Sequence, residues 1–113
     1  MKVITSEINH YWVHFQAGRI ESNLKYPRTI IKCYLDDDLV LQASFYPDNK
    51  SMPENYHDIN SKLIYLRYPM SMYGHVLDLL RNEKPIFFSY SDTSKLGFIR
   101  TGKEPVGEGE IEV

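Results

Sequence analysis

Cysteine is nearly absent: Cys33 stands alone among 113 residues, so no internal disulfide can form. It lies inside an apolar, strand-like run, where a thiol acts as a small hydrophobe, and it is read as an inert core residue. Long hydrophobic runs are also missing. Nothing approaches the roughly 18 apolar residues of a membrane span, and the opening MKVITSEINHYW lacks the apolar region of a signal peptide. The expectation is a cytoplasmic protein with no membrane association. Charge of one sign is lacking too: 15 acidic against 13 basic residues give a net charge of −2. There is no global pull towards nucleic acid or anionic lipid. The only G-x-G, Gly107-Glu108-Gly109, sits between glutamates that would repel a phosphate. There is no G-x-S-x-G elbow and no internal repeat.

Aromatic residues are plentiful, with nine Tyr, five Phe and one Trp. Many fall in strand-like runs, which favours a β-rich fold over a helical bundle. The stretch from Tyr65 to Arg100 organises the rest. Leu63 to Tyr68 has a strand's composition, and Pro69 stops pairing. Ser71 then occupies a helix N-cap position. Tyr73, Val76, Leu77 and Leu80 follow the i, i+3, i+4, i+7 spacing of one helical face, with His75, Asp78, Arg81 and Asn82 mainly opposite. Lys84-Pro85 ends this helix, near 71–83. A helix of about 12 residues is marginal alone, so it must lie on something apolar. Ile86, Phe88 and Tyr90 share one face of the next strand, with Phe87 and Ser89 on the other. A turn at Ser91 to Ser94 leads to a returning strand, Leu96 to Thr101, in which Gly97 marks a bulge or a close backbone approach.

Upstream, Val3 to Phe15 reads as one long strand with large side chains on both faces and a break signal at Asn9-His10. Ala17 to Arg28 is a connection carrying Arg19, Lys25 and Arg28. Thr29 to Leu35 and Leu39 to Tyr46 flank Asp36-Asp37-Asp38, which makes a β-hairpin the natural reading. Leu39, Leu41, Ala43 and Phe45 share a face. Asp48 to Lys62 lacks any period and reads as a long loop. Residues 1–103 are expected to form a single globular α+β domain, and 104–113 a flexible acidic tail. The order β, ββ, β, α, ββ suggests a mostly antiparallel small β-roll or partly open barrel of about six strands, closed by the helix. The alternative is an α/β sandwich.

The chemistry-bearing residues form weak patterns. His10 and His14 are four apart, but on a strand that is about 13 Å, too far for one metal ion. The Asp36 to Asp38 cluster has neither the Gly nor the distal Glu of a calcium loop and is read as a solvated turn. No metal or other cofactor is expected. Glu54, His57 and Asp58 form the densest ionisable group containing a His. With His75 across from the loop, His57 and Asp58 are the acid–base candidates of a pocket protein or small enzyme. Arg19, Lys25, Arg28, Lys32 and Arg67, beside Tyr26, Tyr34 and Tyr65, are the candidates for stacking single-stranded nucleic acid, a partner the charge balance disfavours.

The leading expectation comes from the surplus of large aromatics, because Tyr and Trp are enriched where an apolar ring meets a partner. The chain reads as a small non-catalytic module that self-assembles or binds a protein through a Tyr/Trp-rich sheet surface. Tyr11, Trp12, Tyr65 and Tyr68 are its candidate contacts.

Overall fold

The computed structural model describes residues 2–17, 27–48 and 51–103. These form eight strands and one α-helix: β1 (Val3–Ile8), β2 (His10–Phe15), β3 (Thr29–Leu35), β4 (Asp38–Tyr46), β5 (Tyr56–Asp58), β6 (Leu63–Pro69), α1 (Tyr73–Asn82), β7 (Ile86–Ser91) and β8 (Gly97–Thr101). Residues 18–26 and the 104–113 tail lie outside the described residues.

The strands make two sheets, ordered β1-β7-β8 and β2-β3-β4-β6-β5. This corrects the expectation of a single roll or partly open barrel. The physical reason lies at Asn9. The run Val3 to Phe15 breaks there, its first half pairing with β7 and its second with β3. One stretch of chain thus feeds two sheets instead of curling one sheet round. The α+β class stands, with five antiparallel pairings and one parallel pairing, β4 with β6. The expected 48–62 loop contains the short edge strand β5, whose three residues are too few to show a period.

Alternation decides which side of each strand is buried. Ile86, Phe88 and Tyr90 point inward from β7, as their spacing predicts. Leu41, Ala43 and Phe45 do so from β4, and Ile64 and Leu66 from β6, all essentially inaccessible. Between β3 and β4 the register slips at Cys33/Tyr34, so that Tyr34 faces Leu39. Val40 then joins the core in place of the expected Leu39. From α1, Val76 and Leu80 enter the core and Tyr73 and Leu79 pack against it, whereas Leu77 stays outside the cluster.

Gly97 is a point of close approach. A Cβ there would run into the Leu66 side chain and come within 3.2 Å of the Ser89 carbonyl. The helix start differs from the expected Ser71 cap. A 3-10 turn, Met70–Met72, precedes α1, and neither helical segment has a side-chain cap bond to its own N-cap residue. Instead the Ser71 N–H donates to the Asp48 carboxylate at 3.0 Å. That carboxylate satisfies an otherwise open donor from 23 residues away.

Candidate interaction face

With α1 and the smaller sheet on its inner side, the five-stranded sheet has an opposite face whose residues follow from register. Trp12 stands beside Lys32, Lys32 beside Gln42, Gln42 beside Tyr65 and Tyr65 beside Tyr56. One row therefore crosses all five strands. The adjoining row runs His14, Ile30, Ser44 and Arg67. Neighbours in such a row point the same way, so aromatic and cationic side chains share one side of the sheet, with Ser44 buried among them.

The row is ordered by its own contacts. Trp12 Nε1 donates to the Tyr34 hydroxyl at 2.8 Å, and Lys32 Nζ lies 5.2 Å from the Trp12 ring centre. At the other end the Arg67 guanidinium sits 5.1 Å from the Tyr65 ring, and Tyr56 and Tyr65 rings are 6.0 Å apart. Arg67 Nε donates to the Glu54 carbonyl and Nη1 to the Tyr46 hydroxyl, each at 3.1 Å. Its backbone N–H donates to Asn55 Oδ1 at 2.7 Å. These bonds hold the guanidinium over its ring. Trp12 remains 46% exposed and Tyr56 50% exposed. No acidic residue interrupts the row.

The structure brings together some of the expected contact residues and separates others. Trp12 and Tyr65 share the open row. Tyr11 and Tyr68 point the other way and pack against the core. Tyr68 stacks on Phe45 with 5.3 Å between ring centres, and burial followed by the nearby Cys33 pushes its hydroxyl up to about 12. Among the nucleic-acid candidates, Lys32 and Arg67 lie on this face. Arg28 is exposed at its end, beside a hollow of about 100 Å3 shared with His14 and Phe15. Arg19 and Lys25 lie outside the described residues. Tyr56 and Gln42 complete the row but were not singled out from the sequence. Tyr56 carries no local signal, because the three residues of β5 are too few to show a period.

The acid–base candidates are dispersed in role. His57 lies on the inner side of β5, its ring edge-on to Tyr90 at 6.4 Å. Asp58 Oδ1 accepts from the N–H groups of Asn60 and Ser61 and so shapes the following turn. His75 is exposed on α1. A cavity lies elsewhere, between the bend at Asn9 and the C-terminal end of α1. It is a cleft of about 310 Å3 with Ile8, Leu80 and Ile86 in its wall and Glu7, His10, Arg81, Glu83 and Lys84 around them. Among the described residues no group of three His, Cys, Asp or Glu side chains is placed to hold a metal ion. Cys33 is fully buried, and burial pushes its thiol up to about 12, which keeps it protonated at neutral pH. No helix among the described residues is long and apolar enough to cross a membrane.

Set against known proteins, the chain matches no family model, no curated protein and no solved structure.

Proposed function

We propose that this chain is a non-catalytic, cytoplasmic interaction module that takes a protein partner on the open face of its five-stranded sheet. The row Trp12, Lys32, Gln42, Tyr65, Tyr56 carries the proposal. Tyr, Trp and Arg are the residues that most often dominate binding energy, and here they stand on rigid, paired strands, so little side-chain freedom remains to be lost on docking. Arg67 is held by three neighbours before any partner arrives. A second reading, single-stranded nucleic acid on the same face, is favoured by one observation: both aromatic ends of the row carry a cation, Lys32 and Arg67.

The test places a photocrosslinking amino acid at Gln42, in the middle of the row, in cells that express the protein. A discrete protein adduct that disappears in the Trp12→Ala/Tyr65→Ala background supports the proposal. An adduct pattern indifferent to that double substitution overturns it. Quenching of Trp12 fluorescence by a single-stranded oligonucleotide, weakening steeply with salt, would move the assignment to the second reading. Trp12 is the only tryptophan, so the signal reports on the row itself.

A further inference from the structure

The three-stranded sheet has its own open face, and register lays it out as a lattice. Its first row is Val3, Ser91 and Leu96, where the Ser91 N–H donates to the Leu96 carbonyl. The second is Thr5, Ser89 and Phe98, and the third Glu7, Phe87 and Arg100. Val3, Leu96 and Phe98 are 55%, 60% and 60% exposed. They flank an apolar trough of about 250 Å3 floored by Ser89 and Ser91.

We propose that a second copy of this chain packs on this face, related by a two-fold axis parallel to β7. That operation keeps each row in place and exchanges β1 with β8. The acidic end of the third row then meets the basic end of the other copy, twice over: Glu7 faces Arg100 and Arg100 faces Glu7. In the other two rows a smaller residue of β1 meets a larger one from β8 or the position just before it, Val3 against Leu96 and Thr5 against Phe98. The serines of the central strand leave room for the second copy's Phe98 to lean inward. Turning the axis across the strands instead would set Glu7 on Val3 and Arg100 on Leu96, burying charge against hydrocarbon. Charge and size thus select one orientation. The lattice spans only about 10 Å across the strands and about 13 Å along them. That is well below the roughly 800 Å2 per partner of a standard interface, so monomer and dimer exchange with concentration. This dimer leaves the aromatic face of the larger sheet open.

Light scattering across a wide concentration range tests the proposal on the full chain. The wild-type mass is expected to climb from one chain towards two. Phe98→Glu, Glu7→Arg and Arg100→Glu are each expected to stay monomeric, with melting curves confirming that each is folded. The decisive sample is an equimolar mixture of Glu7→Arg with Arg100→Glu. In a mixed dimer both ion pairs are restored, so the mass climbs again, which no change within a single chain would cause. A wild-type protein that is a single chain at every concentration overturns the proposal. So does a dimer unaffected by these substitutions. Trp12→Ala/Tyr65→Ala is expected to dimerise like wild type, which separates this contact from the aromatic face.

Discussion

Asn9 and Asp36 grip each other through two hydrogen bonds that tie the bend between the sheets to the tip of the β3–β4 hairpin. Asn9 Nδ2 donates to Asp36 Oδ1 at 2.8 Å, and the Asp36 backbone N–H donates to Asn9 Oδ1 at 2.7 Å. The Asn9 N–H also donates to the Tyr34 carbonyl at 2.9 Å. Because a backbone N–H can only donate, the Asn9 amide has one orientation. His10 Nδ1, 2.9 Å from the same oxygen, must then carry a proton, which leaves Nε2 as the acceptor of the neutral ring at the edge of the cleft beside α1. One asparagine thus sets where the chain changes sheets and which tautomer its neighbour adopts.

Asn9→Ala is expected to cost about 1–2 kcal/mol in urea denaturation, the loss of three exposed side-chain hydrogen bonds, one of them to a carboxylate. Asn9→Asp is expected to be worse than alanine at neutral pH, because it sets a second carboxylate against Asp36. That excess should shrink as pH falls through the carboxylate range and one of the pair takes up a proton. An aspartate variant as stable as wild type at pH 7 would show that the clamp carries no energy.

The contact between Gly97 and Leu66 supplies a second prediction. Gly97→Ala drives a methyl group into Leu66 and towards the Ser89 carbonyl, so it should destabilise by about 1–3 kcal/mol. Shortening Leu66 to alanine removes part of that clash while opening a cavity of its own. The double variant should therefore be less destabilised than the sum of the two single variants. Strict additivity would mean that the sheets separate locally to admit the methyl group.

On α1, Leu80→Ala is expected to cost about 2–5 kcal/mol, since Leu80 is 8% exposed within the core cluster. Leu77→Ala should cost less than about 1 kcal/mol, because Leu77 does not join the cluster. The helical spacing alone places both residues on one face, so comparing the two variants isolates what packing adds to periodicity.

Several features were legible in residue order and several were not. Strict alternation in Ile86, Phe88 and Tyr90 identifies a strand and its buried side without any knowledge of its partner. The helix is legible for a similar reason, although its first turn is not, because the Asp48 carboxylate serving Ser71 comes from a distant segment. In Val3 to Phe15 both parities carry large apolar groups. Nothing local tells which side is core, so Tyr11 and Trp12 looked equivalent as contacts. Tertiary packing separates them, and it separates Tyr65 from Tyr68 in the same way. The slip at Cys33/Tyr34, which exchanges Leu39 for Val40, is invisible because both residues are apolar. The aromatic row could not be foreseen because it depends on the order of five strands, including a parallel pairing and the three-residue β5.

Alkaline pH provides the last prediction, and its sign follows from two buried groups. The Cys33 thiol rises from 9.0 to about 12 and the Tyr68 hydroxyl from 10.0 to about 12, in each case chiefly through burial. Folded chains therefore hold both protons over a range in which unfolded chains release them. The unfolded state then binds fewer protons than the native state, so stability must fall as pH rises. The contribution is complete only well below pH 9.0, where neither unfolded group ionises appreciably, and is lost progressively towards pH 12. Urea midpoints measured between these limits should decline, starting with the thiol. In Cys33→Ala the decline should begin about one pH unit later, when the unfolded tyrosine starts to ionise. An onset that does not move in Cys33→Ala would place the alkaline sensitivity in groups other than this thiol.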